Sequence, residues 1–130
     1  VYIYDANDLL KPPPNKKGRA DMAHLARVWT AGAVDHIDIQ TIKEPLAFLR
    51  AYRGRCIGTV VDEKAVHLRN FSFQSDDLLL FGSEKNGLPA AIQAELDASV
   101  YIPARGHTDC LNVAVSFGIV LDQALATLKG

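Results

Sequence analysis

The most informative segment of the sequence is Tyr101-Ile-Pro-Ala-Arg-Gly-His-Thr-Asp-Cys-Leu-Asn-Val113, near the end of a chain of 130 residues. It has the pattern of a strand end, a long polar loop and a helix start. An earlier segment, Leu80-Phe-Gly-Ser-Glu-Lys-Asn-Gly-Leu-Pro89, places a glycine-rich loop after an apolar strand in the same way. In open α/β sheets, ligands bind at the carboxyl ends of neighbouring strands. The two loops are therefore expected to line one crevice.

Around these loops, strand and helix patterns alternate along the chain. Apolar and β-branched runs predict strands at Val1–Tyr4, Val34–Ile39, Cys56–Val61, Asp77–Phe81 and Ser99–Ile102. Helical spacing and end signals predict helices that begin at Asp21, Pro45, Pro89 and Cys110. The segment Asp5–Arg19, with three consecutive prolines, is predicted to be a loop. This alternation predicts an α/β fold with a mostly parallel sheet flanked by helices.

Composition narrows the class of protein. Apolar residues make up 48% of the chain, enough for a buried core, and the net charge of −1 excludes a globally basic nucleic-acid binder. The densest cationic stretch contains Lys11, Lys16, Lys17 and Arg19, and it could hold RNA phosphates or be a solvated loop. No apolar run approaches the roughly 20 residues of a membrane span, and no signal peptide is visible, so a cytoplasmic location is predicted.

The two cysteines and four histidines do not suggest a metal site. Two cysteines cannot supply a four-ligand zinc site, and the histidines lack metal-ligand spacing, so no metal is predicted. Gly82 and Gly87 have the spacing of a P-loop, but Leu88 and Pro89 follow instead of Lys and Ser or Thr. Binding of a nucleoside triphosphate is therefore not expected. Taken alone, this loop could also be a tight turn with nothing bound.

The last predicted helix, Cys110–Leu128, is apolar nearly all round. Such a helix is buried on more than one side. In a chain this small, a second subunit is the expected second cover, which predicts a homodimer. The alternative is a central helix within a monomer.

Both loop segments resemble motifs of one enzyme family. Leu80–Pro89 resembles the second motif of the SpoU (TrmH) branch of the SPOUT methyltransferases. Ile102–Val115 resembles their third motif, in which an Ile-Pro is followed by Ser-Leu-Asn-Val. The resemblance implies one SPOUT domain over residues 1–130, with a C-terminal deep trefoil knot and cofactor pocket at about 77–130. It also implies a homodimer that transfers a methyl group from S-adenosylmethionine (SAM) to a ribose 2′-hydroxyl of tRNA or rRNA.

The resemblance also implies site residues. Those that match cofactor contacts of the family are Val60, Gly82, Glu84, Ile102, Cys110 and Leu111. Glu84 could support its loop or lie near the sulfonium. Cys110 stands where the family usually has Ser, and a thiol is similar in size but a poorer hydrogen-bond donor. Asn112 matches the Asn of the third motif and is a candidate catalytic residue.

The first motif of the family, an Asn-x-Gly loop followed by a helix with an essential Arg, has two possible placements. In one, Asp21–Val34 aligns with it and Arg27 is the catalytic arginine. In the other, Val1–Tyr4 is the strand just after the motif, and Arg27 is an ordinary surface residue. The second placement predicts a missing N-terminal strand–helix unit and further sequence before Val1, since the chain does not begin with Met.

Three functions follow from these observations. The first is a SAM-dependent RNA ribose 2′-O-methyltransferase. The second is a non-catalytic SPOUT module that binds SAM or RNA. The third is an α/β domain that binds another nucleotide, and saturable SAM binding would separate it from the other two.

Overall fold

The computed structural model of the chain describes residues 1–5, 13–83, 87–103 and 112–129. The chain divides into two compact units, Val1–Pro45 and Leu46–Gly130. Glu84, Cys110 and Leu111, three of the predicted cofactor-binding residues, lie outside the described residues.

The first unit pairs two short parallel strands, β1 (Tyr2–Ile3) and β2 (Gln40–Thr41), and contains helix α1 (Lys16–Trp29). The prediction of a loop up to Arg19 with an N-cap at Asp21 was wrong. Asn15 caps α1 instead, because its side-chain oxygen accepts the N–H of Gly18. Lys and Arg are good helix formers, so the cationic run does not delay the start of the helix.

A left-handed turn ends α1. Ala31 and Gly32 have φ angles of 52° and 84°, and a short 3-10 helix, Ala33–His36, follows directly. The predicted strand Val34–Ile39 was therefore wrong. The strand that follows the 3-10 helix is β2, which begins at Gln40 and pairs with β1. The amide N–H of Asp35 donates to the carbonyl of Gly32 at 3.1 Å. This bond closes a helical turn in a segment for which the β-branched residues predicted an extended strand.

The second unit contains a four-stranded parallel sheet. Its strands are β3 (Cys56–Thr59), β4 (Val66–His67), β5 (Leu78–Leu80) and β6 (Ala98–Tyr101). Their order across the sheet is β4-β6-β3-β5, so β3 lies between β5 and β6. The predicted parallel sheet is confirmed; β3 and β5 were predicted with slightly longer bounds, and β6 was predicted one residue too late. The two-residue edge strand β4 was missed.

Three helices of the described chain pack around this sheet: α2 (Pro45–Ala51), α3 (Ala90–Gln93) and α4 (Val113–Lys129). Successive strand side chains point to opposite faces. One face of the sheet packs Ile57, Leu79 and Val100 with Val120 and Ala124 of α4. The other packs a second cluster that includes Cys56, Leu78 and Leu80 from strands and Leu49 and Ile92 from helices. The result is three layers, with α4 on one face and the shorter helices on the other.

In the part of the chain that the structure describes, two residues of helix α4 are buried against the sheet. Val120 and Ala124 are buried, but seven large apolar residues of the helix are exposed. They are Val113, Val115, Phe117, Ile119, Leu121, Leu125 and Leu128. These side chains leave an apolar surface on α4 within the described residues. The predicted start at Cys110 lies outside the described residues.

An ion pair joins the amino ends of β3 and β5. The guanidinium of Arg55 donates to Asp77 from Nε at 2.8 Å and from Nη2 at 2.7 Å, and the Gln74 N–H also donates to this carboxylate. The side chain of Asp77 is only 2% exposed. Burial by itself would raise the pKa of Asp77, but the hydrogen bonds from Arg55 and Gln74 and the charge of Arg55 outweigh it and lower that pKa.

Candidate functional site

Three predicted cofactor residues follow the carboxyl ends of three adjacent strands. Val60 comes directly after β3, Gly82 lies two residues after β5, and Ile102 comes directly after β6. The Val60 N–H donates to the Val100 carbonyl at 3.1 Å, and the Thr59 hydroxyl donates to the Leu80 carbonyl at 3.2 Å.

Neighbouring strands in a sheet lie about 4.8 Å apart, so the three strand ends fall within about 10 Å of one another. The structure thus brings Val60, Gly82 and Ile102 to one edge of the sheet. This edge is the usual ligand-binding position of a parallel α/β fold.

The surface at this edge combines main chain with apolar side chains. Val60 and Ile102 are half-buried, and they pack against the clusters on opposite faces of the sheet. Val61, the next residue after Val60, is 83% exposed. An apolar surface with nearby backbone polar groups suits a flat aromatic ligand that is recognised through main-chain hydrogen bonds.

The loop after β5 folds back tightly on itself. Ser83 and Gly87 form an antiparallel bridge, in which the Gly87 N–H donates to the Ser83 carbonyl at 2.8 Å. A Cβ atom on Gly82 would lie 2.1 Å from the carbonyl carbon of Gly87 and 2.3 Å from the Leu88 nitrogen, so only glycine fits there. Gly87 has a φ angle of 64°, which glycine adopts without strain.

Within the third motif, the structure describes Ile102 and Pro103 and then the residues from Asn112 onwards. The side-chain oxygen of Asn112 accepts the N–H of Ala114 at 2.8 Å and that of Val115 at 3.4 Å. Further along α4, the ring of Phe117 contacts the ring of Phe81 with 5.3 Å between centroids. Because Phe81 immediately precedes Gly82, α4 packs directly against the segment that carries the second motif.

Arg27, the second predicted catalytic residue, belongs to the first unit. Its Nε donates to both carboxylate oxygens of Asp35, at 3.1 and 3.3 Å. The two side chains are 58% and 51% exposed, so this is a surface ion pair that joins α1 to the 3-10 helix.

The densest cationic stretch, and a smaller one in the sequence at Arg50, Arg53 and Arg55, are only partly free of partners in the described structure. Arg19 donates to the carbonyls of Pro13 and Pro14 near the start of α1. Arg50 pairs with Glu95, and Arg55 pairs with Asp77. Lys16 and Lys17 are exposed on α1, and Lys11 lies outside the described residues.

In residues 1–5, 13–83, 87–103 and 112–129, no three His, Cys, Asp or Glu side chains form a group that could hold a metal ion. Across the same ranges, no helix combines the length and apolar character needed to cross a bilayer.

Sequence comparison places the chain in a family. Residues 6–122 match the sequence model of the SpoU rRNA Methylase family. The chain belongs to this family. The resemblance drawn from the second and third motifs is thereby confirmed. The mostly parallel α/β architecture of this SpoU family member is also that of solved SpoU methyltransferases.

Individual relatives of this SpoU protein methylate different RNAs, according to their names. It is 32% identical over 109 residues to the 23S rRNA (guanosine-2′-O-)-methyltransferase RlmB of Acinetobacter baylyi, with 81% of this chain and 44% of that protein covered. It is 34% identical over 104 residues to the tRNA (cytidine(34)-2′-O)-methyltransferase of Beijerinckia indica, with 76% and 65% covered.

A crystal structure of an AdoMet-bound rRNA methyltransferase from Sinorhizobium meliloti matches with a TM-score of 0.69. The sequence identity is 31%, over 76% of this chain and 39% of that one. The SpoU chain thus spans less than two thirds of the length of each of these three proteins.

Two residues that shape the site were not singled out from the sequence. Thr59 ties β3 to β5 through its hydroxyl, and a β-branched polar residue at the end of an apolar strand is the available signal for it. Phe117 contacts the second motif across 36 positions of sequence, and no local pattern encodes such a pairing.

Proposed function

We propose that this chain takes part in SAM-dependent methylation of a ribose 2′-hydroxyl in tRNA or rRNA. The observation that carries the proposal is the convergence of Val60, Gly82 and Ile102 at one edge of a parallel sheet, in a chain of the SpoU family. The relatives from Acinetobacter baylyi and Beijerinckia indica are named as 2′-O-methyltransferases of rRNA and tRNA, respectively. We propose that both units belong to a single SPOUT domain.

The residues at this edge fit SAM. Because Gly82 has no side chain, the main chain of Gly87 and Leu88 packs directly against it, which fixes the backbone at this strand end. Val60 and Ile102 offer half-buried apolar surface for an adenine ring. In the proposal, Glu84, Cys110 and Leu111 complete the cofactor-binding set. When bound, SAM supplies the electrophilic methyl group of its sulfonium.

The remaining task of the protein is to hold the ribose hydroxyl in line and to help remove its proton. Arg27 is the residue proposed to contact the substrate in this task, and Asn112, the other candidate, is proposed to act by positioning the elements around it. The guanidinium of Arg27 stays protonated, so it suits the binding of an RNA phosphate better than the acceptance of a proton. The ion pair with Asp35 uses Nε and leaves the terminal nitrogens of Arg27 outside that pair.

The same ion pair also favours the second candidate function, a SpoU module that binds SAM or RNA without catalysis. In that case Arg27 serves only to fasten α1 to the 3-10 helix. The variants Arg27→Ala and Asp35→Ala separate the two roles. If the ion pair is only structural, both variants lose it and lower the rate of methyl transfer equally. If Arg27 binds an RNA phosphate, Arg27→Ala lowers that rate more than Asp35→Ala does.

A homodimer is part of the proposal. Seven large apolar residues of α4 are exposed, and a second copy of the chain would remove apolar surface of this helix from water. Leu125, which is 48% exposed, is a suitable probe. We expect Leu125→Glu to convert dimer to monomer in sedimentation equilibrium. A wild-type chain that sediments as a monomer at tens of micromolar would contradict the dimer.

The knot and the location in the cell complete the proposal. Family membership supports a trefoil knot formed by the C-terminal segment. A stably folded protein fused after residue 130 should then slow refolding more than the same protein fused before residue 1. A reducing, cytoplasmic location agrees with an RNA substrate and with the free, buried thiol of Cys56.

The decisive experiment is the transfer of labelled methyl from SAM to total small RNA, followed by alkaline hydrolysis. Alkali cleaves RNA through the ribose 2′-hydroxyl, so a 2′-O-methyl group protects the adjacent bond. Label in alkali-stable dinucleotides is expected, and a DNA acceptor, which has no 2′-hydroxyl, serves as the control.

The other outcomes of this experiment have distinct meanings. Label in mononucleotides would contradict ribose methylation. SAM binding by calorimetry without transfer to any RNA would support the non-catalytic module. Absence of saturable SAM binding would overturn both functions and favour an α/β domain for another nucleotide.

A further inference from the structure

The side-chain oxygen of Asn112 is committed to helix α4. It accepts the N–H groups of Ala114 and Val115, the second and third residues of the helix, at 2.8 and 3.4 Å. The main-chain carbonyl of Asn112 accepts the N–H of Ser116 at 2.9 Å, which is the first helical hydrogen bond. This pattern defines an N-cap, the position at which Asn is among the preferred residues.

The cap matters for α4 because it satisfies two of the amide groups at the start of the helix. The first helical N–H groups have no partners within a helix, and the first turn of α4 contains no acidic residue to offset the helix dipole. The burial that anchors α4 begins later, at Val120 and Ala124. The orientation of the first turns therefore depends strongly on Asn112.

The first turns of α4 also contact the second motif. Phe117, one turn after the cap, packs its ring against Phe81 at 5.3 Å between centroids. Phe81 is the residue before Gly82, whose surroundings tolerate no added atom. A helix that frays at its start would thus loosen the packing beside the proposed cofactor loop.

We propose that Asn112 is a positioning residue that acts through the N-cap of α4, rather than a group that accepts the ribose proton. The proposal rests on the proposed methyl transfer and assigns a role within it. A carboxamide oxygen that already accepts two amide N–H groups is a neutral, occupied acceptor, so it supplies no general base. The cap stabilises the first turn of α4, and Phe117 of α4 packs against Phe81, which comes directly before the second-motif loop.

Four variants test this role. Asn112→Ser keeps a neutral capping oxygen but removes the NH2 group, and Asn112→Asp keeps the shape and the capping oxygen. Asn112→Ala removes the cap. Asn70→Ala is the matched control, because Asn70 is exposed and lies at the end of the short 3-10 helix Leu68–Asn70 rather than at the start of a helix. Melting temperature, the Kd for SAM, and kcat and KM for methyl transfer are measured for each.

Loss of a cap costs about 1 kcal/mol, a factor of about five in an equilibrium constant. We expect Asn112→Ala to melt about 4 °C below the wild type and to bind SAM about fivefold more weakly. Asn112→Ser and Asn112→Asp should stay within twofold of the wild type in Kd and kcat, as should Asn70→Ala. Rescue by two residues that share only a capping oxygen is the signature of positioning.

Two results would overturn the role. The first is a more than tenfold loss of kcat in Asn112→Ser and Asn112→Asp with unchanged melting temperature and SAM affinity, because the NH2 group would then touch the reacting atoms. The second is an Asn112→Ala variant that melts and binds as the wild type does. If the wild type binds no SAM, the proposed function fails, while the melting temperatures still report the cap.

Discussion

Replacement of Gly82 by Ala is the sharpest test of the second-motif loop. The added Cβ would lie 2.1 Å from the carbonyl carbon of Gly87, 2.3 Å from the nitrogen of Leu88 and 2.5 Å from the oxygen of Gly87. All three are main-chain atoms, so no side chain can rotate away. To reach even a tight contact of 3.4 Å, the two backbone segments must separate by about 1.3 Å.

The size of the effect follows from this displacement. Overpacking of this kind costs about 1–3 kcal/mol, which lowers the melting temperature of a domain of this size by roughly 4–12 °C. In the proposed SAM site, displacement of the loop by more than 1 Å would also remove a main-chain hydrogen bond to the ligand. The loss of one such bond weakens SAM binding by about tenfold.

Gly87→Asn in the same loop is the matched control. No atom lies within 4 Å of a Cβ built on Gly87, and Asn tolerates the positive φ angle better than most residues. Differential scanning calorimetry and titration with SAM should give values for Gly87→Asn near those of the wild type. A Gly82→Ala chain with unchanged melting temperature and SAM affinity would refute the steric reasoning, as would a Gly87→Asn chain that is equally damaged.

Three further predictions concern stability and reactivity. The pKa of Asp77 is lower in the folded chain than its ordinary value of 3.8. Its ionised form therefore stabilises the fold above that value, and this stabilisation is lost as pH falls through the folded pKa. In urea unfolding, the free energy of unfolding should fall more steeply with acid for the wild type than for Asp77→Asn, and parallel curves would contradict this. Burial, helped by the charges of Asp97 and Glu95, raises the pKa of the Cys56 thiol. Peptide mapping after iodoacetamide treatment at neutral pH should therefore find Cys56 unmodified until urea is added. Rapid modification of the native chain would contradict this prediction. Tyr52→Phe should lose about 1 kcal/mol, since its hydroxyl donates to the Asp76 carbonyl at 2.6 Å, and an unchanged melting temperature would show that this bond contributes nothing.

Local patterns in the sequence predicted the parts of the fold that depend on local periodicity. The apolar run at Cys56–Val61 predicted the central strand, and the helical spacing after Pro45 predicted α2. The glycine pair at Gly82 and Gly87 predicted a constrained loop at a strand end; the main chain packed around Gly82 requires a glycine there, and Gly87 has a positive φ angle.

The remaining differences arise where long-range contacts or single side chains decide the structure. Asn15 caps the start of α1 through one side-chain hydrogen bond. The prolines and cationic residues around Asn15, which predicted a loop, do not indicate that bond. The two-residue strand β4 exists because β6 is available to pair with it, at Val66 with Val100 and His67 with Tyr101. The partner of Arg27 depends on the left-handed turn between α1 and Asp35.

The central position of β3 has a consequence for how the chain folds during synthesis. Its sheet neighbours, β5 and β6, are both made later, and β6 begins about 40 residues after β3 ends. At roughly 5–20 residues per second, the ribosome needs about 2–8 s to complete that interval. The nascent apolar segment Cys56–Val61 therefore waits without its two partner strands, and parallel pairings that depend on such non-local contacts form slowly.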